Sequence, residues 1–279
     1  MDKWFFDNSG LEKICEINDA FRNKAIEFAN NKLSKNYKTY SPWMSNVDNL
    51  KELENYFATE ELVFPKHTDT KPLERIFLTE SIEKKLSFGG LSTEEMQILT
   101  KSIDLVRKHS KDISKLFSIL VKHIVPINTE NGEFQKIGNG FSSHFAKGCI
   151  FLSIPKMDEY NELQLSINIA HEIGHQCLYL YQTADSIFEN GIDDLVYSYV
   201  RKAKRPAIQS FHATVALAFM VHFLNEFNEP ILSKNKFFAE RKESLTSDFT
   251  MSLESFSRVN FTQVGRLLFE DLRSYANTL

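Results

Sequence analysis

Two histidines four residues apart, with a glutamate directly after the first, sit at the centre of Ile169-Ala170-His171-Glu172-Ile173-Gly174-His175-Gln176-Cys177-Leu178. On an α-helix such positions share a face, about 40° apart around the axis and about 6 Å along it. Both imidazoles then reach one metal ion, and Glu172 projects near its open side. Random placement of this chain's His and Glu residues yields an HExxH about 2% of the time. From Leu163 to Leu180 Glu172 is the only charged residue, as expected of a helix buried behind a metal site. The plain alternative is a pair of core histidines satisfied by hydrogen bonds.

A catalytic metal usually takes three protein ligands and keeps an open position. The metzincin pattern fails, because Leu178 and Tyr181 stand where its Gly and third His belong. A gluzincin-like site would draw a carboxylate from Glu189, Asp193 or Asp194. His212 is better placed, inside the apolar run Phe211-His212-Ala213-Thr214-Val215-Ala216-Leu217-Ala218-Phe219. His222, further along the same helix, points about 80° away and lies about 15 Å along it, so it should not share the ion. Cys177 is expected to be a small buried residue on another side of the metal helix.

The elements that must position these groups follow from periodicity. Residues 11–32 read as an amphipathic helix, and 47–57 as a shorter one carrying Leu50 and Leu53 inward. Residues 61–90, punctuated by Pro65, Pro72 and Gly89-Gly90, read as loop with one short helix and a solvated His67. Ser92-Thr93-Glu94-Glu95 is a capping box that opens a helical stripe running to Pro126, divided near His109-Ser110. His109 and His123 are expected at the surface. Short apolar runs around 141–145 and 149–152, joined by Ala146-Lys147-Gly148, suggest a hairpin leading into the metal helix at about 159–182. His144 on that hairpin is a candidate to face the site. After the basic cluster Arg201 to Arg205, Pro206 can start a helix over about 207–227, and the remainder reads as helical. The fold class expected is α+β and predominantly helical, with a zincin-like metal helix beside a small antiparallel sheet. Residues 1–125 form a helical region and 126–279 the metal-binding region, in one compact unit.

Composition narrows the function. The 279 residues are 42% hydrophobic and 25% charged, as in soluble globular proteins. A net charge of −4 gives no reason to expect nucleic acid as a partner. The start, Met1-Asp2-Lys3-Trp4, lacks a secretory pattern, and the apolar stretch Phe211–Leu224 is too short to span a bilayer. Cys15, Cys149 and Cys177 form no CxxC pair and no even set. A cytoplasmic protein without a membrane partner is expected. The 24 phenylalanines offer large apolar anchors for a core or a peptide groove.

Gly148-Cys149-Ile150-Phe151-Leu152, the HExxH segment, and Arg205-Pro206 with His212 six residues after the proline resemble the HExxH-containing peptide-modification proteins of natural-product gene clusters. The resemblance spans residues 140–225, and Tyr197-Ser198-Tyr199-Val200 lacks the tryptophan such proteins often carry before Arg-Pro. It implies an Fe(II)/α-ketoglutarate-dependent, O₂-using hydroxylase acting on the β-carbon of a residue in a ribosomally made precursor peptide. His171, His175 and His212 would hold iron. Arg205, or else Arg201, would anchor the remote carboxylate of α-ketoglutarate, since a guanidinium grips a carboxylate bidentately. Such iron enzymes commonly use two histidines and one carboxylate, which leaves Glu172, Asp193 and Asp194 as further candidates. The alternative is a Zn²⁺ metallopeptidase with Glu172 as general base, or a binding protein that only presents a peptide groove.

Overall fold

The computed structural model describes residues 3–64, 70–78, 86–129, 140–190, 194–227 and 235–279. Sequence expectations for His67 and Asp193 fall outside them.

Helix α1 (Asp7–Leu33) ends where Ser34 turns left-handed at φ 52°. Residues 42–56 form short helical turns around α2 (Leu50–Leu53), and Leu50 and Leu53 are buried as their spacing predicts. Then follow α3 (Lys71–Phe77) and strand β1 (Leu86–Phe88). Helix α4 (Thr93–His109) begins at the predicted capping box: Glu95 N donates to Ser92 Oγ at 3.2 Å, and Ser92 N donates to Glu95 Oε2 at 2.9 Å. Ser110 closes α4 and caps α5 (Lys111–Leu120), so the predicted division is present.

Beyond Leu120 the structure departs from the reading. The helical stripe does not continue to Pro126; His123–Thr129 is strand β2. Ile124, Val125 and Ile127 are β-branched, and Pro126 cannot donate a helical hydrogen bond, so extension is favoured locally. His123 is buried rather than exposed. Its ring stacks on Trp43 with centroids 6.0 Å apart, and its Nδ1 meets Glu61 O at 2.7 Å. His109 is half-buried against Phe227.

Strands β3 (Gly140–Ser142) and β4 (Cys149–Leu152) form the expected antiparallel hairpin. The sheet as a whole is mixed, not antiparallel. Its order is β1-β2-β4-β3, and β2 pairs parallel with β4 in the register His123↔Cys149 to Pro126↔Leu152. Two helices, α4 and α5, precede β2, and the hydrophobic pattern carries no signal for its parallel pairing with β4.

The metal-motif helix is α6 (Asn161–Ala184), which packs against α1, α4, α5, α7 (Ala207–Glu226) and the β3–β4 hairpin. A two-stranded ribbon, β5 (Leu195–Ser198) with β6 (Ala203–Pro206), leads into α7. At 20 residues α7 is long and apolar enough to cross a membrane, contrary to the shorter stretch expected, but most of it is buried inside the fold. Helices α8 (Lys236–Glu254) and α9 (Gln263–Ala276) complete the chain. The 125/126 boundary falls inside β2, and residues from both sides, such as Ile103, Val106, Ile169 and Phe219, share one core.

The N-terminal segment is fastened by the last helix. Asp271, 2% exposed, accepts from Trp4 N at 2.9 Å and Phe5 N at 3.1 Å, and it faces Lys3 Nζ at 3.5 Å. Tyr181 donates its hydroxyl to Trp4 O from α6. Asp271→Ala strands both amides, an expected loss of about 2–4 kcal/mol. Urea denaturation measures it, with Asp271→Asn falling between because it keeps an acceptor.

Candidate metal centre

Between Leu163 and Gln182 every residue of α6 is buried except His171, His175, Tyr179 and Gln182. These positions fall on one face, so an otherwise enclosed helix opens to solvent along a stripe of polar rings and one amide. Cys177 is fully buried, as expected.

Gly174, between the two histidines, lets α7 cross at close range. A Cβ there would lie 3.1 Å from Ala216 Cα and 3.1 Å from the Phe219 ring. The crossing brings His212, 37 residues downstream, to 3.2 Å from His175, Nδ1 to Nδ1. His171 and His175 face one another through Nε2 at 3.0 Å. His212 Nε2 lies 2.8 Å from Gln182 Oε1, and the Tyr179 ring sits 4.6 Å from the His212 ring. His144 is exposed on the β3–β4 connection, 6.0 Å from Tyr179 between ring centroids.

This network fixes tautomers. With Gln182 Oε1 accepting from His212 Nε2–H, His212 Nδ1 accepts from His175 Nδ1–H, and the lone pair of His175 Nε2 is left facing His171. Two imidazole nitrogens 3.0 Å apart suit one ion bound at about 2.0–2.1 Å from each. The donor set is nitrogen, which iron and zinc both accept. His212 meets His175 on the opposite nitrogen, so the three rings form a row, and their convergence on one ion requires a ring rotation.

Burial holds all three histidines neutral, the form that ligates. His171 is pushed down to about 4, first by desolvation and then by the charges of Arg201 and Arg241. Desolvation takes His212 down to about 3, and His175 is also held well below the ordinary range. Unfolded histidines protonate near 6.5, so between that pH and about 4 the unfolded chain binds more protons than the folded one. Stability of the metal-free protein is therefore expected to be full above pH 6.5 and to fall as pH drops toward 4. Chemical denaturation at a series of pH values, with chelator present, checks this.

Glu172 turns the other way. It is 1% exposed, accepts from Ser142 Oγ at 2.8 Å through Oε2, and holds Oε1 3.8 Å from His171 Nε2. Gly140 makes the space, since a Cβ there would stand 2.8 Å from Glu172 Oε1. Desolvation raises the Glu172 carboxyl to about 8, against the Ser142 hydrogen bond, and a bound cation would lower it again.

Among the described residues, no hydrogen bond or ion pair joins the other sequence candidates to the rings. Arg205 is half-buried on β6 opposite Val196, and Arg201 is exposed in the β5–β6 turn. The charge of Arg201 acts on His171. Glu189 and Asp194 join no carboxylate–histidine group with His171 and His175 among the described residues. The group whose ligand atoms all lie within 4.8 Å of one another is Asp112, His222 and Glu226. There His222 Nε2 bridges the two carboxylates at 3.2 and 3.3 Å under a stacked Phe6, away from the motif as its helical spacing required.

Sequence reasoning missed Tyr179, Gln182, Ser142 and Arg241. Tyr179 and Gln182 continue the His171–His175 face and were legible from spacing; Ser142 and Arg241 carry no local signal. No protein-family profile matches the chain, and no curated protein sequence is significantly similar to it.

Proposed function

We propose that the chain is an Fe(II)/α-ketoglutarate-dependent hydroxylase acting on the β-carbon of a residue in a ribosomally made precursor peptide. His171 and His175 would hold the metal, with His212 as their third partner. The observation that carries this reading is the solvent-open row of neutral imidazoles, beside which the Glu172 carboxyl is buried and held by Ser142. Bound iron would supply the oxidising chemistry, with the α-keto acid as co-reductant. The chain's residues keep the rings neutral, orient them through Gln182, and set Glu172 to steady the first histidine rather than to take a proton.

The second reading is a Zn²⁺ peptidase. Its support is the 3.8 Å between Glu172 Oε1 and His171 Nε2, near enough for Glu172 to reach a metal-bound water. The two separate in one experiment. Protein loaded anaerobically with Fe(II) is supplied with α-ketoglutarate, O₂ and candidate peptides, and succinate release is measured. Zn²⁺-loaded protein is tested in parallel for cleavage of the same peptides. Succinate formation coupled to a peptide mass gain of one oxygen supports the hydroxylase. Cleavage that disappears in Glu172→Gln, without succinate, establishes the peptidase.

A further inference from the structure

The end of α7 and the start of α5 bring a second set of donors together. His222 and Glu226 lie one helical turn apart on α7 and share a face, by the same spacing that joins His171 and His175. Asp112, in the first turn of α5, faces them. His222 Nε2 lies 3.2 Å from Asp112 Oδ2 and 3.3 Å from Glu226 Oε2, and the three ligand atoms fall within 4.8 Å of one another. Donors bound at about 2.0–2.1 Å to a tetrahedral ion stand about 3.3 Å apart. Both edges that meet at His222 already have that length.

Each of the three side chains is also held from outside. Ser110, buried at the N-cap of α5, donates its hydroxyl to Glu226 Oε2. Asp7 N donates to Asp112 Oδ2 at 3.3 Å. Phe6 stacks on the His222 ring with centroids 4.0 Å apart, and Tyr275 meets that ring edge-on at 5.6 Å. Outer contacts of this kind orient the ligands of a metal site.

The local charge favours a cation. Glu226 occupies the last turn of α7, where the helix dipole disfavours a carboxylate and no basic residue shares the turn. Asp112 brings a second carboxylate to the same place, and like charges this close make each other harder to ionise. His222 Nε2 carries at most one hydrogen, which cannot point squarely at both oxygens. A divalent ion would take a lone pair from all three atoms and balance both charges.

We infer that Asp112, His222 and Glu226 form a second divalent-metal site, which clips the start of α5 to the end of α7. One imidazole with two carboxylates suits Zn²⁺ or another first-row transition ion better than Mg²⁺ or Ca²⁺, which take oxygen donors. The three side chains are partly exposed, so water can fill the remaining position. The inference shares no ligand with the His171–His175 centre and does not depend on the activity proposed for it. Because α7 also carries His212, an ion here would fix the far end of the helix that crosses that centre.

The test is Zn²⁺ titration of metal-free full-length protein against a competing chelator, in a His175→Ala background that removes the middle donor of the other row. This variant is expected to keep one equivalent of Zn²⁺, and Zn²⁺ should raise its melting temperature. Adding Glu226→Gln, which keeps an acceptor for Ser110, should weaken the binding by about 10- to 100-fold. Adding His222→Ala instead should weaken it by over about 100-fold and abolish the melting shift. Should either background be unstable, Glu226→Gln in the otherwise wild-type chain is expected to lower the Zn²⁺ stoichiometry by one equivalent. No Zn²⁺ binding by the folded His175→Ala protein overturns the inference. So does Zn²⁺ binding that neither Glu226→Gln nor His222→Ala changes, and His222 is then a histidine hydrogen-bonded between two carboxylates. Binding lost with His222 but not with His175 supports this site and removes the other; binding lost with His175 alone does the reverse.

Discussion

His175→Ala is expected to lower divalent-metal affinity at the His171–His175 centre more than any other single substitution, by over about 100-fold. That bound comes from comparison: losing an outer partner of a ligand typically costs 10- to 100-fold, and losing a ligand costs more. His175 is the middle of the row, facing His171 at 3.0 Å and His212 at 3.2 Å, so its removal deletes a donor and separates the other two. Titration with Zn²⁺ or Co²⁺ against a competing chelator measures the effect, and retained affinity would remove the metal centre from this helix. The same titration assigns His212. A loss as large as that of His175→Ala makes it a direct ligand, whereas a loss of 10- to 100-fold makes it the residue that fixes the His175 tautomer. His222→Ala should leave the affinity of the His171–His175 site unchanged, since the His222 ring is engaged elsewhere by Asp112, Glu226 and Phe6.

Gly174→Leu is expected to cost about 3 kcal/mol of stability and to impair metal binding, although Gly174 carries no donor atom. A single Cβ at this position already meets the backbone of Ala216 and the ring of Phe219 at 3.1 Å. The further carbons of leucine have nowhere to go unless α7 moves outward, and α7 carries His212. Leucine's higher intrinsic helix propensity, worth about 1 kcal/mol over glycine, pulls the other way but is smaller than the overpacking. Denaturant unfolding reads the stability, and the metal titration reads the displacement of His212. A variant as stable as wild type with undiminished metal affinity would show that the α6–α7 crossing does not set the site. Gly174→Ala is a weaker probe, because its propensity gain and its tight contacts are of similar size.

The two substitutions divide the site into what is local and what is not. His171 and His175 are joined by helical spacing, so their shared face could be read from the apolar sequence around them. Tyr179 and Gln182 extend the same face by the same rule. The capping box at Ser92, the division at Ser110 and the β3–β4 hairpin were legible for the same reason, since each is decided by residues within reach of one another along the chain. His123 misled because a histidine read as part of a helical stripe carries no mark of the Trp43 ring that covers it from elsewhere in the chain. The parallel β2–β4 pairing was hidden too, since parallel and antiparallel strands of a buried sheet share the same apolar pattern.

Sequence by itself therefore determined the helix that carries His171 and His175, the face those two rings share, the helical fold class and the separation of His222 from them. Each follows from the 3.6-residue period and the chemistry of single side chains. Only the tertiary structure decided that His212 meets His175 on the nitrogen turned away from His171. It also decided that Glu172 lies under Ser142 in the space left by Gly140. Those facts depend on how closely two helices cross and which strand lies beside them. Such distances are set by the packing of residues far apart in the chain, which no local period encodes.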